Sequence, residues 1–534
     1  MPDTPTAAPP IGLRFWRRTF EDVQELFAEG QGAEGGPDDP LPTKTYRGLP
    51  RHPLSAPSRT LGDARWSFAG HRRGNSACPP GRDALDEPAV SALLHHSYGL
   101  ARIELGPHAV WPHHRTVASA RCFYPVELYL WTATNSPGLP AGCYHYDPAH
   151  HALTRLREGG IPEELRAATG TTAAPPHALL AVAVDFRKTA FRYRDYAYRL
   201  CAQEAGMTAG NLLMAAGALG IGARVHHRFD ADVVHRAIGV DADEESAFAV
   251  LDLSARRSRT APRTRQDDRQ PLPALHPDQL RRNRTDSRLW TGLCALDRAA
   301  RSEQALSAAP LGDGAFHLPV AAAGPARVPL DEAAAPANVE LADALRARDS
   351  GGRMFLPKDG ELPFADLQLL LRYALEPVAS DHAPADLRPL VDCHVLVLGV
   401  AGLSTGLYRL DPSPALARQP ERDWPAVVSM LCERTPSVNT AKADAVVFLS
   451  VNREAGERWF GARGYRVLHQ EAGIVAQRIS VLAAAAGASA RITNGYDDAE
   501  IRALIGAGHD TVPVFTLVLG RRRATAQYDP PLLW

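Results

Sequence analysis

The same helix is written twice in this chain. Tyr198-Arg199 leads through Gln203-Glu204-Ala205-Gly206 to Ala223-Arg224, and Tyr465-Arg466 leads through Gln470-Glu471-Ala472-Gly473 to Ala490-Arg491. Both runs are rich in Ala, Leu and other helix formers. Apolar residues cover nearly the whole circumference beyond the Gln-Glu-Ala-Gly, so each reads as a buried helix. Both close on glycine, Gly220 and Gly222 in the first and Gly487 in the second, where a C-cap belongs. A second motif recurs in the same order. Gly142-Cys143-Tyr144-His145-Tyr146-Asp147-Pro148 is matched by Gly406-Leu407-Tyr408-Arg409-Leu410-Asp411-Pro412, each a strand running into a turn. The offset of roughly 265 residues is domain scale, not solenoid scale. Duplication of one ancestral domain is the simplest account.

Around the repeats, strands are expected at Val126–Trp131, Leu179–Val184, His394–Val400, Ala445–Val451 and Val514–Leu519. Their alternation with long helices indicates α/β or α+β layering. The expected division is a first domain over 41–255 and a second over 336–534. Between them lies a charged, Pro-punctuated and then Ala-rich linker with some helix, 256–335. Residues 1–40, with Gly30–Pro40 especially poor in hydrophobes, are expected to be partly disordered.

The formal net charge of −1 argues against nucleic acid or an anionic membrane as the main partner. No apolar run approaches the roughly 18 residues that cross a bilayer, the longest being Val395–Leu403. Met1–Pro10 lacks the regions of a signal peptide, so a cytoplasmic location is expected. The seven cysteines are scattered without a Cys-x-x-Cys pair, so reduced thiols are expected. Many of the 20 histidines come as neighbours (His95-His96, His113-His114, His150-His151, His226-His227). Neighbours point to different faces, and no metal site is expected from them.

The stretch Arg115–Tyr129 reads Arg-Thr-Val-Ala-Ser-Ala-Arg-Cys-Phe-Tyr-Pro-Val-Glu-Leu-Tyr. It resembles the Pro-Ser-Gly-Gly-Ala-Leu-Tyr-Pro-x-Glu-Leu-Tyr signature of SagB-type dehydrogenases, a branch of the nitroreductase superfamily. The twice-written Tyr-Arg…Glu-Ala-Gly helix is the other hallmark of that branch. The resemblance spans roughly Thr43–Ser254 and Pro336–Arg523, and it is to the tandem form of these dehydrogenases. It implies an α+β fold of two nitroreductase-like three-layer α/β/α domains forming an intrachain pseudo-dimer. It also implies FMN at the interface between the halves.

The resemblance carries site residues with it. An Arg-x-Ser type motif that holds the FMN phosphate has its match at Arg346, Arg348 and Ser350, and guanidinium with hydroxyl suits a dianion. The first half has only His71-Arg72-Arg73-Gly74-Asn75-Ser76 there. Conversely, the serine loop that covers the flavin from the partner half survives as Ser119, Ala120 and Arg121, while the second half has Asp386-Leu387-Arg388-Pro389. Each half lacks what the other retains, which implies one intact composite site and one vestigial one. Asn494-Gly495 matches the backbone that lies against the flavin ring, and Arg521, Arg522 and Arg523 match basic phosphate contacts. Two departures stand out. Ala120 and Arg121 replace the family's glycines, and Arg192-Tyr193 replaces a Lys-Tyr pair. Arginine cannot act as a base, which leaves Tyr193 as the proton-transfer candidate with Arg192 as the cation beside it. Glu204 and Glu471, inside buried helices, read as structural carboxylates in need of partners.

The implied activity is oxidation of a modified residue in a ribosomally made peptide, azoline to azole being the family's case. The peptide or a peptide-like molecule would be the substrate and other modification enzymes the partners. Further homodimerisation stays open. So do two other readings: a nicotinamide-dependent flavin reductase or nitroreductase, and a flavin-free scaffold in a modification complex.

Overall fold

The computed structural model describes residues 9–28, 40–62, 84–104, 112–133, 138–170, 176–255, 290–302, 316–318, 327–330, 339–351, 361–382, 389–412 and 414–521. They form two seven-stranded sheets of matching topology. The first runs Arg51–Pro53, Ala152–Glu158, Gly142–Asp147, Val126–Thr132, Ala178–Asp185, Glu245–Ala255, Ile221–His226. The second runs Arg327–Pro329, Ala415–Arg418, Gly406–Leu410, Asp392–Val397, Ala445–Asn452, Thr511–Gly520, Ser489–Thr493. Every neighbouring pair in both sheets is antiparallel, which settles the layering as α+β.

Strand alternation explains the three layers. Leu128, Leu130, Leu180 and Val182 face the helix Ala197–Ala218, whereas Tyr129, Trp131, Leu179 and Ala181 pack with the helices Glu163–Ala168 and Ala231–Ile238. In the second half Val447, Leu449 and Leu517 face the helix Gly464–Ala485, while Val446, Phe448 and Val518 pack with Trp424–Arg434 and Asp498–Ile505. The two central helices, Ala197–Ala218 and Gly464–Ala485, share one core and cross at the repeated glycines. A Cβ at Gly473 would stand 3.0 Å from Gly206 Cα and 2.5 Å from Gln203 O. Both helices hand over to a left-handed glycine, Gly220 at φ +70° and Gly487 at φ +71°, as the C-cap reading expects.

The crossing carries a pseudo-twofold relation. Gln203 donates to Val514 O (2.8 Å) and bonds Asn494, while Gln470 donates to Phe248 O (3.0 Å) and bonds His227. Each glutamine ties its helix to the edge strand and last strand of the other half.

The structure adds detail at three places. Within the N-terminal segment, residues 9–28 hold the helices Ile11–Phe20 and Val23–Ala28. Phe15 and Trp16 pack on Tyr198, Tyr465 and His469, and the Thr19 hydroxyl bonds Tyr465 (2.8 Å). The aromatic spacing in Phe15-Trp16-Phe20 already carried that burial signal. Gly30–Pro40 lies outside the described residues apart from Pro40. The linker does hold a helix, Thr291–Ser302, but it is a core element whose Asp297 accepts from Tyr198 (3.3 Å). Its place on Tyr198 mirrors that of Thr19 on Tyr465. The second sheet begins at Arg327, ahead of the expected boundary at 336. All six described cysteines are free, and no helix among the described residues is long and apolar enough to cross a membrane.

Candidate functional site

Identical topology gives each sheet the same outer edge, yet the two edges are treated differently. On Ile221–His226 the second half lays down residues 379–382 as a parallel addition. Val225 N donates to Ala379 O (2.9 Å), Asp381 N donates to Val225 O (3.1 Å), and Ser380 bridges Val225. The Asp381 carboxylate then accepts from the backbone N–H of His227 (3.0 Å) and of Arg228 (2.8 Å). The counterparts of His227-Arg228 are Asn494-Gly495. On their edge, Ser489–Thr493, one backbone bond from the outer side is present, Ala490 N to Asp349 O (3.2 Å). Residues 491–497 stay half-buried. Unpaired strand edges are ready-made hydrogen-bonding templates. Among the described residues one edge is therefore crossed by a segment of the other half, and the second, about 13 Å from Ala490 to Asn494 at the rise of a strand, is not.

One end of that second edge is basic. Arg348 follows the short helix Leu341–Ala347 and is buried. It donates to the first half's carbonyls, Thr116 O (3.0 Å), Arg115 O (3.2 Å) and Val117 O (3.3 Å), but its Nη1 has no hydrogen-bond partner. Burial and nearby Arg102 lower its pKa, the strain of an under-neutralised cation. Asp349, next in sequence, is claimed by Arg102 and by Gly351 N. Ser350 is half-buried beside it, and Gly351 turns the chain at φ +73°. Arg521 follows the last strand at the same end, since Gly520 pairs with Ser489. The structure thus gathers Arg348, Ser350 and Arg521. It does not gather Arg346, whose exposed guanidinium is held by Asp343 one turn back. Arg522 and Arg523 lie outside the described residues, as do His71–Ser76 and Asp386–Arg388.

The serine loop arrives from the first half immediately after the three carbonyls held by Arg348. Arg121, Cys122 and Tyr124 all have positive φ, at 52°, 55° and 49°. Arginine has replaced glycine at 121, but the backbone keeps a glycine-like turn. Among the described residues five non-glycine residues have positive φ, and a fourth, Arg194, is also here. At each of these residues the backbone is held against its preference. The Ser119 hydroxyl points inward, accepting from Tyr124 N (2.9 Å) and bonding Glu204. What Ser119, Ala120 and Arg121 present outward is backbone and the exposed Arg121 side chain.

Glu204 joins the two sequence signatures. It also accepts from Tyr98 OH (2.8 Å), and burial pushes its carboxyl up to about 7, against the pull of Ser119, Tyr98 and Arg115. A raised carboxyl pKa stabilises the fold fully below pH 4.5, and that contribution is lost as pH rises through about 7. Between those limits the native chain should lose on the order of 3 kcal/mol relative to Glu204→Gln. Urea unfolding of both proteins at pH 5 and pH 8 checks this, and equal changes in both would refute it. Asp498, also raised to about 7 by burial, is common to both proteins and cancels.

Tyr193 ends the helix Arg187–Tyr193 beside the loop, its ring 6.4 Å from Phe123 and 6.4 Å from Tyr196. Arg192 is half-buried next to it. From Tyr196 the contacts run on through Arg199, which donates to Tyr496 OH (2.5 Å) and to Asn494 Oδ1 (3.4 Å). Tyr193 therefore lies between the serine loop and the edge Ser489–Thr493. The motif reading missed Arg199, Gln203 and Tyr496 as residues that fix Asn494. The spacing of Arg199 and Gln203 in the repeated Tyr-Arg…Gln-Glu helix was visible, their partners Asn494 and Tyr496 were not. Gly495 is pinned from the other side, its carbonyl accepting from Thr435 Oγ1 (2.5 Å).

Arg194 sits at φ 50°, ψ −134°, and its counterpart Gly461 at φ 58°, ψ −141°. The second half supplies glycine for this turn and the first does not. Arg194→Gly should raise stability by about 1 kcal/mol, the relief of backbone strain exceeding the entropy that glycine adds to the unfolded chain. A melting point that falls would show that the arginine side chain holds the turn.

Residues 83–251 and 366–521, more than half of the chain, match the nitroreductase family. A nitroreductase homologue of Methanocaldococcus jannaschii is 30% identical over 110 residues, 20% of this chain and 55% of that protein. The Microcin B17-processing protein McbC of Escherichia coli is 27% identical over 133 residues, 24% of this chain and 49% of that protein. The chain thus spans about half the length of the curated relatives it matches. A nitroreductase-type crystal structure from Anabaena variabilis shares the fold over 97% of this chain and all of its own, with a TM-score of 0.72 at 21% identity. Its full-length coverage is that of two domains in one chain. The chain belongs to the nitroreductase family, as a tandem pair of its domains.

Proposed function

We propose that this chain is an FMN-dependent oxidoreductase of SagB type with one flavin site, built from both halves, that oxidises a modified residue in a ribosomally made peptide. The observation that carries the proposal is the buried Arg348 Nη1 without a hydrogen-bond partner, beside the edge Ser489–Thr493, while the twin edge is crossed by residues 379–382. FMN fits the edge with Arg348 at its end. A phosphate satisfies the buried, unpartnered Arg348 Nη1, with Ser350, Arg521 and Arg523 as its further holders. The backbone of Asn494-Gly495 and the Ser119–Arg121 loop then flank the ring. When bound, FMN supplies the two-electron acceptor.

The chain's own residues do the rest. Arg348 holds the serine loop of one half to the phosphate corner of the other. Arg199 and Gln203 keep Asn494 in place. Tyr193 stands where a phenol can take the substrate's proton, with Arg192 adjacent to favour the phenolate. Arg121 adds a positive charge at the rim. The partial similarity to a microcin-processing protein favours a peptide substrate and companion modification enzymes; a cytoplasmic setting is part of the same proposal.

The test is anaerobic. The full chain is reconstituted with FMN, the flavin is released and counted, and the bound flavin is mixed with an azoline-containing peptide or with NADPH. One flavin per chain that is bleached by the peptide supports the proposal. Two flavins, or none, would sink the single composite site. Rapid bleaching by NADPH without response to peptide would replace peptide oxidation by flavin or nitro reduction, the reading that the Methanocaldococcus relative favours.

A further inference from the structure

We infer that the covered counterpart of the flavin site is a zinc site made by His227, His382 and Glu471. These three side chains come from three separate segments: the end of the first half's edge strand, the segment 379–382 laid across it, and the central helix of the second half. Their side chains are 0%, 1% and 2% exposed. One donor atom from each lies within 4.8 Å of the others. His227 Nε2 is 3.5 Å from Glu471 Oε1, and His382 Nε2 is 3.8 Å from the same oxygen. Donors around a tetrahedral zinc with bonds of about 2.0–2.1 Å are separated by about 3.3 Å, so the two histidine–carboxylate distances need contract by only a few tenths of an ångström and the histidine–histidine distance by at most about 1.5 Å.

Hydrogen bonding prepares the lone pairs. Gln470 Nε2 donates to Phe248 O (3.0 Å), which makes Gln470 Oε1 the acceptor for His227 Nδ1 (2.7 Å). His227 therefore carries its proton on Nδ1, and its Nε2 turns a lone pair toward Glu471. Neither His227 Nε2 nor Glu471 Oε1 makes a hydrogen bond. His382 Nδ1 lies on the side of Asp381, 3.7 Å from Oδ1 and beyond hydrogen-bonding distance, while its Nε2 faces Glu471. An amide hydrogen-bonded to His227 is the kind of outer-shell partner that orients a histidine ligand, and the Asp381 carboxylate stands on the corresponding side of His382. Two imidazoles and a carboxylate are a zinc donor set, and water completes four-coordination. Phe460, its ring 5.4 Å from that of His382, closes the apolar side.

The neighbour rule for histidine pairs still holds here. His226 turns away to Asp252 (2.7 Å), and only His227 enters the cluster. The site arises because residues 379–382 cross the strand, which no local spacing records. The pseudo-symmetric position at the other edge is Asn494, so the two edges diverged in chemistry as well as in access. Zinc would pin the covering segment to the central helix.

The full-length chain, purified through a tag that does not bind metal, should contain one equivalent of zinc by elemental analysis. Chelator-stripped protein should regain it from zinc chloride alone, with a rise in melting temperature. His382→Gln and Glu471→Gln should each weaken zinc binding by about 100-fold or more and abolish that rise. Native protein without zinc, and with no shift on adding zinc chloride, would overturn the proposal without reference to any variant. Zinc retained at full occupancy in both variants would overturn it equally. A histidine–glutamate ion pair alone predicts the first of these results.

Discussion

Gly206→Ala and Gly473→Ala will each destabilise the chain by about 2–4 kcal/mol, although alanine is the better helix former by about 1 kcal/mol. The new methyl at 206 would sit 2.5 Å from Gln470 Cα, and at 473 it would sit 2.5 Å from Gln203 O and 2.9 Å from Met207 N. These are backbone atoms of the opposite helix, so no rotamer relieves the contact and the helices must part. Parting them pulls Gln203 from Val514 O and Gln470 from Phe248 O, the bonds that join each half to the other. Gly210→Ala is the control. Its methyl would meet Ile474 Cα at 3.2 Å, close enough that the gain in helix propensity roughly offsets the crowding. Urea unfolding of the three variants checks the order. Equal or increased stability in the 206 and 473 variants would mean that the halves are not locked at this crossing.

Arg348→Met will cost about 2–4 kcal/mol of stability and raise the FMN dissociation constant by about 100-fold, because charge-assisted hydrogen bonds contribute about 1.5–3 kcal/mol each. Methionine keeps the packing of the stem and removes the donors to Arg115 O, Thr116 O and Val117 O. Those carbonyls lie just before Ser119, so the serine loop loses its anchor in the other half. Arg346→Met separates the two arginines of the motif. Its side chain is exposed and pairs with Asp343 on its own helix, and stability should change by no more than about 0.5 kcal/mol. Flavin titration and unfolding of both variants decide the matter. Equal loss of flavin from the 346 variant would return the phosphate to Arg346.

Much of this was written in local order. Alternating Val, Leu and aromatic residues marked the strands at 126–132, 178–185 and 445–452, because each strand's two faces pack against different helices. The repeated Gln-Glu-Ala-Gly marked the crossing, although the reason for its glycine needs the second helix. The helices within residues 9–28 were not legible because composition averages away a short amphipathic helix. Phe15, Trp16 and Phe20 are few, but they fill the cleft over Tyr465 and His469.

The sequence by itself determined that the chain is two copies of one domain, with the central strands of each sheet and the repeated buried helix of each half. Periodicity and repetition are properties of neighbours along the chain. Tertiary structure alone decided which edge is crossed, because residues 379–382 cover one strand from a different domain. It also decided that Arg348 and not Arg346 turns inward, since burial depends on the angle at which a short helix meets the other half. Glu204 reaches Ser119, and His227 meets His382 and Glu471, only because two helices cross at a pair of glycines and bring distant segments into one low-dielectric interior.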